Sequence, residues 1–157
     1  MDKHRLGAFG RMTYGIYVLT SHHDNVINGM IASWVTQVSH EPPLILIAVH
    51  PNRYSHQLIE KSKCFALHIV ARSQSELLTS MKGPKAADKF LGLNWKPGKT
   101  GCPILSDSMA WLECEVVDQY RPGNHTLFVG RVVEAQAHST ATPLCTLDYK
   151  GVYIGDA

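Results

Sequence analysis

The chain carries only four cysteines, Cys64, Cys102, Cys114 and Cys145, and no two of them form a CxxC pair. That spacing gives no zinc signature and is too sparse for a disulfide scaffold, so reduced thiols in a cytoplasmic protein are the expectation. Long hydrophobic runs are missing. The longest, Pro43 to Val49, is strand length, whereas a membrane span needs about 20 residues. No apolar segment follows a basic start, so no signal peptide is read. Charge of one sign is scarce as well: 15 Lys and Arg against 13 Asp and Glu leave a formal charge of +2. A nucleic-acid partner would call for a basic stripe, and a membrane partner has no feature to hold. No Ser–His–Asp order and no paired catalytic carboxylates stand out, so no side chains are read as a nucleophile or an acid–base pair.

What is present suits one globular domain over residues 1–157. The hydrophobic share is 45% and the charged share 18%, enough for one core. Residues 3–12 read as a short opening helix weakened by two glycines. Tyr14–Ser21 reads as a strand, His22–Val26 as a polar turn and Ile27–Val38 as a second extended segment ended by Pro42-Pro43. Adjacent His22 and His23 would point to opposite faces of a strand, so no metal site is read there. Leu44–Val49 is a buried strand. Arg53–Ser62 follows as a helix with Tyr54, Leu58 and Ile59 inward, then the strand Phe65–Val70.

Ser73-Gln74-Ser75-Glu76 has the pattern of a capping box ahead of a helix through Leu77, Leu78 and Met81. Pro84–Leu91 reads as another helix and Asn94–Pro103 as a Gly/Pro-rich loop. The last third alternates. Ala110–Tyr120 puts Leu112, Cys114 and Val116 on one face, and His125–Ala137 puts Leu127, Val129, Val133 and Ala135 on one face. Cys145–Ile154 is a final strand. The fold class expected is mainly β, an antiparallel β-barrel with peripheral helices.

The most informative stretch is Asn28–Pro43, NGMIASWVTQVSHEPP, with HPNRYSH (His50–His56) beyond the next strand. Gly29, Ala32, Ser33, Thr36 and Ser39 are small or hydroxyl-bearing on an otherwise apolar segment. A flat ligand can approach the backbone there. Arg53, Ser55 and His56 surround a helix start, where phosphate binds well. Ser33 and Ser39 share a face by strand parity if no bulge intervenes, while Thr36 has the other parity. Each feature also has an ordinary reading. The hydroxyls suit a wet strand face, and Arg53, Ser55 and His56 suit a solvated cap. Trp34, Met30 and His50 suit the core, His125 a solvated turn, and Lys85 and Lys89 a solvated helix face. Cys64 reads as a small strand residue, with no neighbour in sequence to lower its pKa.

These segments in this order (YGIYVLTS, NGMIASWVTQVSHEPP, LILIAVHPNRYSH, FALHIV, Asp88-Lys89-Phe90, GNHTLFVGRV and LDYKGVYIG) resemble the flavin reductase-like family of FMN-binding split-barrel proteins over nearly the whole chain. The nearest look is to the branch with flavoredoxins and NAD(P)H:flavin oxidoreductases. The resemblance implies a six-stranded split barrel, a homodimer, and FMN rather than FAD near the dimer interface. The flavin would be lined by Asn28, Gly29, Met30, Ala32, Ser33, Trp34, Val35, Thr36 and Ser39. Arg53, Tyr54, Ser55 and His56 would hold its phosphate together with Ser39, and His50 would also belong to the flavin-binding set. His125 would lie where the nicotinamide of NADH or NADPH docks.

The implied function is hydride transfer from NAD(P)H to flavin. Electrons would pass on to free flavin or a small redox protein such as a separate rubredoxin or a flavodiiron protein. Three other readings stand beside it. One is a passive electron carrier without nicotinamide turnover. Another is a flavin-binding sensor, and the last is a relative of pyridoxamine-phosphate oxidases.

Overall fold

The computed structural model describes residues 2–149. Nine strands and three α-helices follow in chain order: α1 (Lys3–Phe9), β1 (Tyr17–His23), β2 (Val26–Ala32), β3 (Val35–Ser39), β4 (Leu44–Val49), α2 (Tyr54–Ser62), β5 (Cys64–Ile69), α3 (Glu76–Met81), β6 (Trp95–Pro97), β7 (Pro103–Leu105), β8 (Ala110–Tyr120) and β9 (Thr126–Ala137). Seven strands form one antiparallel sheet in the order β2-β1-β5-β8-β9-β4-β3, and β6 and β7 form a separate hairpin. No helix among the described residues is long and apolar enough to cross a membrane.

The order itself shows why the sheet curls. β2 and β3 are its two edges, yet only Ser33 and Trp34 separate them. Three Cα steps reach about 10 Å at most. A flat seven-stranded sheet would hold its edges about 29 Å apart. The edges must therefore meet, and the sheet rolls into a barrel left open along the seam where the chain steps from β2 to β3. The expected six-stranded count differs because the single extended segment Ile27–Val38 kinks here. Val35 N–H bonds back to the Ser33 carbonyl at 3.0 Å, and Ala48 N–H to the Trp34 carbonyl at 3.0 Å.

The barrel interior is filled by Leu19, Ile45, Ile47, Val49, Phe65, Leu67, Cys114 and Phe128, with Ile59 of α2 packed among them. A second core lies on the outside of β1, where Ile16, Val18, Val70 and Leu105 pack under Leu77, Leu78, Met81 and Phe90. β1 is therefore apolar on both faces, which hides its period of two. Gly130 is required by this packing, since a Cβ there would lie 2.6 Å from the Phe65 ring and 2.7 Å from Cys114 Cβ. Phe65 is fully buried. Replacing it with alanine is expected to cost about 3–5 kcal/mol, read as a lower urea midpoint at unchanged slope.

Several local expectations change. Tyr54 is 44% exposed, so the inner face of α2 is Ser55, His56, Leu58 and Ile59. Ser73 caps nothing. Gln74 Oε1 accepts from Ala71 N–H at 3.0 Å, and Arg72–Gln74 is a 3-10 turn before α3. Ala86–Phe90 is also 3-10, and the Asn94–Pro103 loop contains β6 and the turn that leads into β7. On β9 the buried face is Thr126, Phe128 and Gly130, while Leu127 and Val129 are half-buried. Both faces of that strand are apolar, so alternation alone chose the wrong one. His23 remains in β1, and the turn is Asp24-Asn25. Of the expected final strand, Cys145 is an isolated bridge to Gly15 and residues 146–148 are turn, and the rest from residue 150 lies outside the described residues.

Candidate active site

The barrel seam, the end of β4, the start of α2 and the turn before β9 converge. β4 ends at Val49, and the chain turns at once through His50–Asn52. Asn52 N–H donates to His50 Nδ1 at 3.2 Å, and Arg53 N–H to the His50 carbonyl at 2.9 Å. Helix α2 then begins with Arg53 as its N-cap. No side chain caps the helix, and no acidic residue lies in its first turn. A cation at a helix N-terminus opposes the macrodipole, a conflict that a bound anion would relieve.

Lys89 reaches the same region from the Ala86–Phe90 turn. Its Nζ donates to the Gly29 carbonyl at 2.7 Å. Burial holds the Lys89 ammonium below its usual range, and repulsion from Arg53 lowers it further. Arg53 acts on His125 as well. There burial lowers the imidazole pKa first, then His50, then Arg53. Two half-buried cations within electrostatic reach of each other suit a dianionic phosphate, which would offset both the repulsion and the opposed dipole.

His125 is buried just ahead of β9. Its ring lies 4.7 Å from Trp34 at a tilt of 46° and 5.1 Å from His50, edge-on. Nδ1 donates to Asn124 Oδ1 at 2.8 Å, which leaves Nε2 as an acceptor in the neutral ring. His56 is buried below, with Nε2 2.8 Å from Thr126 Oγ1 and Nδ1 3.7 Å from Glu60. Burial lowers its pKa first, against the raising effect of Glu60. Arg121 Nε donates to the same Thr126 hydroxyl at 3.3 Å. His56 thus ties α2 to β9 and fixes the helix start relative to His125. Asn28 Nδ2 donates to Ser55 Oγ at 2.9 Å and ties β2 to α2, while Asn28 Oδ1 is sealed from solvent with no partner among the described residues.

Among the residues singled out in the sequence, the structure gathers Trp34, His50 and His125 in one wall. It places Arg53 in electrostatic reach of His125 and of Lys89. Gly29, Met30 and Ala32 lie on β2 near the seam. Gly29 is small for packing, since a Cβ there would meet Met81 Sδ at 2.3 Å. Ser33 and Trp34 form the kink, and Val35 follows on β3. Thr36 is exposed, its hydroxyl donating to the Gln37 carbonyl at 3.2 Å. Ser39 stands apart. It pairs with Leu44 at the far end of β4, beyond a bulge after Gln37, which places it about 20 Å along the strand from His50. The kink and the bulge also void the parity relation between Ser33 and Ser39. Lys85 and Lys89 suit a second anionic ligand as well as a solvated face by sequence, but the Gly29 carbonyl that holds Lys89 is 60 positions away and not legible there.

One reading outside this site is overturned. Cys64 has close neighbours after all, Cys102 and His22. A hydrogen bond from the Cys102 thiol and the adjoining imidazole hold Cys64 below the ordinary thiol range.

An antiparallel split barrel with a helix start, two cations and an aromatic wall at its seam defines a flavoprotein of the split-barrel class. The chain belongs to the flavin reductase-like domain family, whose model matches residues 9–154. It is similar to the reductase subunit HsaB of a flavin-dependent monooxygenase from Mycobacterium tuberculosis, with 32% identity over 94% of this chain and 79% of that one. It is also 32% identical to diflavin flavoprotein A 1 of Synechocystis, over 82% of this chain but only 23% of that longer protein. Among solved structures, the NADH:FAD oxidoreductase SgcE6 of Streptomyces globisporus superposes with a TM-score of 0.81 at 29% identity, covering 92% of this chain and 82% of that one. By class, then, this is a member of the flavin reductase-like family, with the mainly β split barrel read from its sequence.

Proposed function

We propose that the chain binds FMN at the barrel seam, reduces it with NADH or NADPH as a cytoplasmic homodimer, and hands electrons to free flavin or to a small redox protein such as a rubredoxin or flavodiiron protein. The observation that carries this reading is the Arg53–Lys89 cation pair at the uncapped start of α2, beside the Trp34–His50–His125 wall.

Bound flavin supplies the redox chemistry, accepting hydride from a nicotinamide and releasing electrons onward. The protein supplies position and electrostatics. Arg53 and Lys89 hold the phosphate end, helped by the first backbone N–H groups of α2. The Gly29 carbonyl keeps Lys89 aimed at that end. Asn28, through Ser55, fixes β2 against the helix start, so Gly29–Val35 forms the backbone shelf for the ring. Ser39 lies too far along β3 to share the phosphate with Arg53 in the same chain. His125 is neutral, and Asn124 sets its tautomer. Its ring, packed against Trp34 and His50, would help to position the donor against the flavin.

A homodimer is supported by exposed apolar side chains, Val38 on β3 and Val117 and Tyr120 at the outer end of β8. Light scattering on a sizing column tests it, with a monomer that retains flavin counting against it.

An absorbance scan of the purified protein, followed by anaerobic NADH and NADPH, tests the function. Yellow protein whose bands bleach on adding nucleotide is the expected result, and chromatography of the released flavin separates FMN from FAD. Bands that bleach only with dithionite would replace the reductase reading with a passive carrier. Colourless protein that takes up no added FMN would end the FMN assignment. His125→Ala is expected to slow bleaching on the order of ten-fold without abolishing it, because hydride transfer needs positioning and no protein acid at the carbon.

A further inference from the structure

We propose that His22, Cys64 and Cys102 form a binding site for one thiophilic metal ion, Zn²⁺ in first place, at the end of the barrel where β5 begins. The ligand atoms of these residues all lie within 4.8 Å of one another. Cys64 Sγ is 3.7 Å from Cys102 Sγ and 3.4 Å from His22 Nε2. Tetrahedral zinc with ordinary bond lengths sets two sulfurs about 3.8 Å apart and a sulfur and a nitrogen about 3.5 Å apart. Two edges of the coordination polyhedron are therefore already formed without any side chain having to move far. The Thr100 carbonyl, 2.8 Å from His22 Nε2 and 3.7 Å from Cys64 Sγ, stands where a fourth ligand or a bound water belongs.

The surroundings are those of a built site. The loop Gly98–Cys102 is held on the buried carboxylate of Glu113, which accepts from Lys99 N–H at 3.0 Å, Thr100 N–H at 2.9 Å and the Thr100 hydroxyl at 2.7 Å. Gly98 N–H closes the loop onto the Cys102 carbonyl at 2.9 Å. Gly101 has φ +88° and lies so close under the His22 ring that a Cβ would sit 2.8 Å from Nε2. Glycine there answers both the backbone and the approach of the imidazole. These contacts orient Thr100 and Cys102 toward His22, as outer contacts do around metal ligands. An open cavity of about 370 Å³ lined by Ser62, Lys63, Cys64, Thr100, Glu115 and Val116 gives an ion a path in.

The balance is simple. Zn²⁺ meets two thiolates, so the filled site is neutral, and two thiol protons leave to solvent. His22 donates Nε2–H to Thr100 in the metal-free state. On binding, that proton moves to Nδ1 and the Nε2 lone pair turns to the metal. Sequence spacing hides all of this, since the ligands are 42 and 38 positions apart.

The test uses the full, untagged chain, reduced and stripped with a chelator under anaerobic conditions. Co²⁺ is titrated in as the spectroscopic probe, then displaced by Zn²⁺. A thiolate-to-cobalt charge-transfer band saturating at roughly one equivalent per chain is expected, lost on adding Zn²⁺. Cys102→Ser and His22→Gln should remove or strongly weaken the band, while Cys145→Ser should leave it unchanged. Should Cys102→Ser fail to fold, alkylation of the wild-type chain with and without Zn²⁺ gives the same decision, since Zn²⁺ should protect Cys64 and Cys102 and no other thiol. No charge-transfer band, a band untouched in His22→Gln, or protection mapped to other cysteines would overturn the site.

Discussion

Lowering the pH from 7 to 4 is expected to remove about 3 kcal/mol of stability through one side chain, His68. The residue is fully buried on β5, between the barrel and the outer core. Its Nδ1 donates to the Val18 carbonyl at 3.1 Å, and its Nε2 accepts from Leu105 N–H at 3.1 Å. Both ring nitrogens are used, and only in the neutral form. A second proton on Nε2 would face an amide N–H. Burial drives the pKa down to about 4, despite the opposing pull of the Val18 carbonyl and Glu113.

In the unfolded chain the same group titrates near ~6.5. Between the two values the unfolded state binds more protons. The contribution of His68 is therefore complete above about pH 6.5, falls as the pH drops, and is exhausted below about pH 4. Urea midpoints at pH 7, 6, 5 and 4 measure the slope. His56, also lowered by burial, acts in the same direction, so the diagnostic quantity is a difference. His68→Gln should be less stable at pH 7 and should lose its own share of the slope. An unchanged slope in His68→Gln would show that His68 is not the proton acceptor.

The same residue marks what a linear reading can and cannot reach. Strands β4 and β8 carry their bounds in composition and alternation, Leu44–Val49 between Pro43 and Pro51, and Ala110–Tyr120 before Arg121-Pro122-Gly123. The turn at His50–Asn52 and the helix behind it are marked by proline, asparagine and a change of period. The kink at Ser33-Trp34 has no such mark. It contains neither glycine nor proline, and it exists because the two edges of a rolled sheet must meet. His68 sits in FALHIV as one polar letter in an apolar strand, with partners 50 and 37 positions away. The candidate site divides along the same line. Trp34, His50 and His125 are legible through the order of whole segments that resembles a family, and Arg53 through the helix start it precedes. Lys89 at the Gly29 carbonyl, and Cys102 beside Cys64, are products of closure and have no local signal.

Arg53→Ala is expected to weaken FMN binding by about ten- to a hundred-fold, because a charge-assisted contact to phosphate is worth about 1.5–3 kcal/mol and each 1.4 kcal/mol is a factor of ten. Lys89→Met should do less, since its Nζ is already engaged by the Gly29 carbonyl. Arg53→Lys should fall between, keeping the charge without the planar fork. Fluorescence quenching of FMN titrated into apoprotein measures each constant, and riboflavin provides the internal control. It has the ring and ribityl chain without the phosphate, so its affinity should be the same in wild type and in Arg53→Ala. Equal losses for FMN and riboflavin would mean that Arg53 shapes the ring pocket instead.

The substitution has a second signature at His125. Removing Arg53 takes away one of the cations that hold its imidazole down, and burial remains. The His125 pKa should therefore rise toward its ordinary value without reaching it. Proton NMR of the ring in the flavin-free protein reads that shift directly. A His125 resonance that titrates identically in both proteins would place the Arg53 guanidinium away from the wall, and with it the phosphate end of the site.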